Sequence, residues 1–209
     1  MDGTRPESFG RLWIRLQEIM ADLGLEDQPT HLNLGQICDP KSPWSTYPSL
    51  SCVKAAESKA LLKAMALLVK EMEADDRGKH RTLACHYLVD VYDIVEVEGW
   101  HLSLKARSQL LESASRHLLH YSWLAKDAAD RGLLLWSVVP KHHFFLHLAL
   151  QAQHENPKLH WVYSGESFVG EVSRLAHMCL PGKPAHDLSH VLLERWRIGL
   201  HIALARSCL

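Results

Sequence analysis

The chain has 209 residues, of which 47% are hydrophobic and 22% charged, and its net charge is −1 with neutral histidines. The composition argues against disorder, which needs fewer apolar residues and more net charge. The totals also lack the basic excess typical of a protein that grips nucleic acid through phosphates. The length suits a single domain over 1–209 with a real core, carrying at most residues 1–35 as an N-terminal helical appendage.

The five cysteines, Cys38, Cys52, Cys85, Cys179 and Cys208, are odd in number and form no C-x-x-C pair. That argues against a disulfide framework and a zinc ribbon, and for reduced thiols in an intracellular, cytoplasmic or nuclear, compartment. The start, Met-Asp-Gly-Thr-Arg-Pro-Glu, has no signal-like apolar region, and no apolar run reaches the roughly 18 residues of a membrane span.

Helical periodicity then runs through the chain. Phe9, Leu12, Trp13, Leu16, Ile19, Met20 and Leu23 form one apolar stripe, with Ser8 to cap its start and Gly24 to stop it. Residues 36–49, with Pro40, Pro43 and Pro48, read as a Pro-rich loop pinned to the core by Trp44 and Tyr47. From Leu50 to about Ala74 a helix turns Val53, Ala56, Ala60, Leu61, Ala64, Leu67 and Leu68 inward. Asp75, Asp76 and Gly78 read as a turn, so the basic stretch Arg77-Gly-Lys-His-Arg81 reads as a solvated link.

The next helix covers about His80 to Val97, with a short strand at Ile94-Val-Glu-Val-Glu as its rival, and Gly99 ends it. Ser103 caps a long helix with Leu104, Leu111, Ala114, Leu118, Tyr121, Leu124 and Ala128 on its stripe, closed by Gly132. Pro140 starts a helix to about His154 that is apolar nearly all round, which predicts a helix surrounded by others. Asn156-Pro157 breaks the chain, and residues 158–163 read as irregular or briefly extended. Ser164 caps a helix reaching Cys179, and a last helix runs from about Ala185 to Arg206. The expected fold is all-α, an irregular bundle of about six to seven helices without a substantial sheet.

Fifteen histidines include two i, i+4 pairs, His143/His147 and His186/His190, a spacing that sets two imidazoles on one helix face and can hold a transition metal. Neither pair encloses the glutamate of a zincin motif, so core or boundary histidines bonded to backbone carbonyls are the competing reading. Lys141 stands at a helix N-terminus, which disfavours a cation, so it is expected to face solvent or an acidic partner. In Tyr163-Ser-Gly-Glu166-Ser-Phe168, Glu166 suits a first helical turn, and holding a divalent metal is its alternative role. No G-x-G-x-x-G, P-loop or G-x-S-x-G motif occurs.

The segments Tyr47-Pro-Ser-Leu50, Lys54-Ala-Ala-Glu57, Tyr121-Ser-Trp-Leu-Ala125, Trp136-Ser-Val-Val-Pro-Lys-His-His143 with His147, Asn156-Pro157 and Trp161-Val-Tyr-Ser-Gly-Glu-Ser-Phe-Val-Gly170 are similar, in order, to a multicopy protist family of mobile-element character. The series covers about residues 45 to 205. It also resembles the helical C-terminal half of cut-and-paste transposases, whose RNase H-like core cuts DNA with two aspartates and a glutamate around Mg²⁺. The resemblance implies that Glu166 matches that glutamate, His143 and His147 the family's histidines, and Lys141 its lysine. The family's aspartates stand on strands, which this chain lacks, so the resemblance implies a non-catalytic derivative or fragment. Alternatives are a helical module binding another protein through apolar grooves, and a histidine-based metal protein. No cofactor is expected beyond that divalent metal. The expected partner is another protein chain or, should a basic groove exist, nucleic acid.

Overall fold

The computed structural model describes residues 5–39, 41, 45–50, 52–160, 173–179 and 187–207. These form two compact units, residues 1–160 and 161–209. The architecture is all-α, and among the described residues there is no strand. None of the described helices is long and apolar enough to cross a membrane.

The first unit contains α1 (Arg5–Asp22), α2 (Leu34–Ile37), α3 (Ala55–Glu71), α4 (Asp76–Val97), α5 (Leu104–Asp130), α6 (Pro140–Gln151) and a 3-10 turn, Pro157–His160. Each of α3, α4, α5 and α6 packs against the next in chain order, and α1 lies on α3. The stripe of α1 does what its spacing predicts. Trp13, Leu16, Ile19 and Met20 are buried against Leu61, Ala64 and Leu68 of α3, with Phe9 and Leu12 packed at the margin. Leu23, at the end of the stripe, is exposed.

The stop at Gly24 is a left-handed glycine with φ 62°. Gly24 N–H donates to Ala21 O at 2.9 Å and Leu25 N–H to Met20 O at 3.1 Å, the paired bonds that satisfy the last carbonyls of a helix. The start differs from expectation. The helix already runs at Arg5 with Pro6 in its first turn, so Ser8 lies inside it and caps nothing.

Asp75 is likewise a cap and not part of a free turn. Its carboxylate accepts from Gly78 N–H at 2.7 Å, which starts α4 at Asp76 and places Arg77, Lys79, His80 and Arg81 on helix. A methyl group at Gly78 would approach Glu73 Cα at 3.2 Å, a tight contact that the neighbouring backbone would have to yield to. At the far end of α4 the rival strand is absent. Glu96 stays helical and pairs with Lys59, and with Lys63 at 3.4 Å, while Lys63 reaches Asp93 at 2.9 Å. Partial burial raises the Glu96 carboxyl, but the two lysines outweigh it and leave its pKa lowered.

Ser103 caps α5 by accepting from Ala106 N–H at 3.2 Å, and Gly132, with φ 68°, ends it. The buried stripe of α5 is Ala106, Leu110, Ser113, Ala114, His117, Leu124 and Ala128. Leu104, expected inward, is the first residue of α5 and is exposed.

The largest departure is α6. Its apolar composition predicts a helix enclosed by others, yet only Ala149 is buried and Phe144 is 66% exposed. The helix rests on α5 along one edge, where Phe145 meets the His117 ring edge-on at 5.7 Å. Tyr47, expected to pin the Pro-rich loop, is exposed, and Trp44 lies outside the described residues.

Asn156 is the point where the end of this unit is tied to its middle. It is 1% exposed. Its side-chain amide donates to Val95 O at 2.9 Å, Glu98 O at 3.1 Å and Gly99 O at 2.9 Å, the carbonyls at the C-terminus of α4. Its side-chain oxygen accepts from Lys158 N–H at 3.0 Å, which opens the 3-10 turn.

The second unit contains α7, helical over 173–179, and α8 (Leu188–Ser207). Cys179 is buried, whereas Ile198, expected inward, is exposed. The four described cysteines are free thiols, and burial pushes the Cys85 thiol up to about 11.

Candidate functional site

Lys141 and the pair His143/His147 stand on exposed turns of α6. Lys141 has no ion-pair partner among the described residues, consistent with its facing solvent. Tyr163, Glu166 and His186 lie outside the described residues, and His190 is exposed on α8 with its Nε2 3.7 Å from Glu194. Among the described residues, no three His, Cys, Asp or Glu side chains gather as a metal would require.

What the first unit does assemble is a groove. It has a volume of about 780 Å³ and is open to solvent. One wall is the margin of α1, Phe9, Leu12 and Leu16; the other is Met65, Leu68 and Val69 of α3 with Met72 just past its end. Leu32, Ile37 and Leu50 close one end, and Leu124, Leu135 and Trp136 the other. The apolar lining follows from the stripes themselves. Phe9, Leu12 and Met65, packed only partly buried at the margin of the α1–α3 core, turn their remaining surface to this space.

The mouth of the groove is polar and specifically charged. Three arginines, Arg77, Arg81 and Arg131, and two aspartates, Asp75 and Asp127, stand on it. Arg77 pairs with Asp75 at 3.3 Å and Arg131 with Asp127 at 2.5 Å. Arg81 has no ion pair among the described residues, which leaves one cation in excess beside the positive end of α4. The Asp75 carboxyl is held below its usual range, first by the Gly78 amide and then by Arg77 and Arg81. The arginines that read as a solvated link in the sequence therefore belong to the rim of a site, because Asp75 turns their segment into the start of α4.

Trp136 joins the groove to a histidine-rich seam. It meets Tyr121 edge-on at 5.4 Å, and the Tyr121 hydroxyl donates to Ser137 O at 2.9 Å, which fixes the extended link before α6. Burial raises the Tyr121 phenol. Below it His117 is buried and its Nδ1–H donates to Ala84 O at 2.8 Å. Between α4 and α5, His120 Nδ1 lies 2.9 Å from His80 Nδ1, and His80 stacks on Trp123 at 3.8 Å. Tyr87 stacks on His120, and its hydroxyl accepts from Arg116 at 3.0 Å. This seam fits the carbonyl-bonded reading for His117. The His80–His120 contact joins residues 40 apart, so no local spacing could have found it.

Both inner rings are held below the ordinary histidine range. For His117 the cause is burial, opposed by the Ala84 carbonyl and aided by His142 and His120; for His120 it is burial, then His80 and Arg116. The unfolded chain therefore takes up protons first as pH falls below about 6.5. Stability is full above that value and declines as pH drops toward the folded-state values. Urea midpoints are expected to be lower at pH 5.5 than at pH 7.5, with a smaller drop in His120→Asn. A midpoint that rises on acidification would show that these rings are not buried as neutral groups.

No protein-family model, curated protein or solved structure matches the chain.

Proposed function

We propose that this chain is a non-catalytic helical interaction module, and that the groove between α1 and α3 receives the apolar face of an amphipathic helix with an acidic end. The observation that carries the reading is the groove itself: about 780 Å³ of largely apolar lining with a charged mouth. Ligand sites are typically concave, about 300–1,000 Å³, mostly apolar and supplied with a few oriented polar groups. A helix presenting anchors at i, i+3, i+4 and i+7 suits a trough bounded by two helices, since each wall then meets one ridge of side chains. Arg81 supplies the polar selection, because it is close enough to act on Asp75 but makes no ion pair among the described residues, so a carboxylate near it would form one. A mobile-element origin accords with a non-catalytic role, and its support is the ordered series of sequence motifs.

The test uses a fluorescent synthetic helix with leucines at i, i+3, i+4 and i+7 and glutamates elsewhere, titrated against the full chain by anisotropy. A scrambled peptide of the same composition is the control. The patterned peptide is expected to bind and the scrambled one not. Met65→Glu, which puts a charge in the trough, is expected to weaken binding at least about ten-fold. Arg81→Glu is expected to weaken it by a smaller factor that shrinks with added salt. Equal binding of the two peptides, or no effect of Met65→Glu, would overturn the reading.

A further inference from the structure

We propose that His143 and His147 form a chelating site on α6 for a divalent transition ion that prefers right-angled coordination, of the Ni²⁺ or Cu²⁺ class. This site lies outside the groove and is independent of it. The two residues are one turn apart on an exposed face, with their rings at 84° and centroids 4.3 Å apart. Their Nε2 atoms are 2.8 Å from one another. In the metal-free chain one of these nitrogens must donate to the other.

The same separation is a metal bite. Two imidazole nitrogens about 2.0 Å from an ion stand about 2.8 Å apart when they subtend about 90°, and about 3.3 Å apart at the tetrahedral angle. The observed spacing, held here by the N–H···N hydrogen bond, lies at the right-angled end of that range and places both nitrogens within reach of one ion. An ion held there keeps its remaining positions for water, because among the described residues no third His, Cys, Asp or Glu joins the pair.

The helix beneath the pair is anchored along one edge. Pro140 fixes the first turn of α6, Ala149 is buried, and Phe145 rests on His117 of α5. The His142 ring accepts from Val139 N–H at 3.1 Å and so closes the helix start next to the site. Both ligands thus project from one formed helix, at a spacing already set, so little ordering accompanies binding.

The experiment is a calorimetric titration of the full, tag-free chain with nickel chloride, a probe that free thiols do not reduce as they would Cu²⁺. One site tighter than the rest is expected in the parent. His143→Asn and His147→Asn are each expected to lose an order of magnitude or more in affinity at that site, and the double variant to lose no more than either. This non-additivity marks a chelate, as opposed to two separate imidazoles. His190→Asn is expected to keep the tight site. Both residues are exposed, so the variants should keep the parent's circular dichroism and melting temperature in metal-free buffer. Parent-like nickel affinity in either single variant, or loss of the tight site in His190→Asn, would overturn the assignment.

Discussion

Replacing Asn156 by Asp is expected to be the most damaging single-atom change in the first unit, costing about 3–5 kcal/mol and lowering Tm by on the order of 10 °C. The side-chain amide of Asn156 serves three carbonyls at the end of α4, those of Val95, Glu98 and Gly99. Two N–H bonds cover three acceptors, so one is shared. An aspartate offers the same shape with no donor. Its carboxylate would face three carbonyl oxygens in a place that is 1% exposed, where a charge has no water to screen it. Asn156→Ala removes the donors without adding the charge and is expected to cost about 2 kcal/mol. Thermal melts of the two variants should therefore rank parent, Ala, Asp in falling order. An aspartate variant that melts with the parent would mean that this residue does not close α4.

Leu61→Ala is expected to cost about 2–4 kcal/mol, while Leu67→Ala six residues later stays within about 0.5 kcal/mol of the parent. Leu61 is 2% exposed, packed among Trp13, Leu16, Met20 and Leu68, and it also forms the floor of the groove. Truncation removes contacts from both α1 and α3, and the hole left beneath the groove opens toward it. Leu67 lies on the same helix but faces outward. Chemical denaturation of both variants checks the pair, and equal losses would contradict the assigned face of α3. Leu61→Ala should also deepen the trough, so its effect on binding the patterned peptide should be smaller than that of Met65→Glu.

These elements show what a sequence can and cannot disclose. The α1 stripe, the glycine stops at Gly24 and Gly132 and the Ser103 cap were legible because each depends on residues within one or two turns. So was the His143/His147 pair, since i, i+4 spacing fixes which rings share a face. Asn156 was not legible beyond a break in the chain, because its partners lie about 60 residues upstream. The surface position of α6 was not legible either. An all-round apolar helix needs cover, but composition does not say whether neighbours supply it. The groove escaped for a related reason: its lining comes from α1, α2, α3, α4, α5 and the links between them, and the apolar side chains of its helical walls read locally as ordinary core. Arg77 and Arg81 are exposed, as read, but taking Asp75 as part of a turn and not as the cap of α4 hid that they stand on helix at the rim of the groove.

The groove is the centre of the account, and methyl-resolved NMR of the full chain during titration with the patterned acidic helix tests it most directly. The expected result is chemical-shift change concentrated on the methyl groups of Leu12, Ile37, Met65 and Met72, with those of Val97, Leu104 and Val138, which are apolar and exposed elsewhere on the same unit, left in place. Shifts that gather on Val97, Leu104 and Val138 while the groove methyls stay unmoved would place the docking surface elsewhere and contradict the proposal.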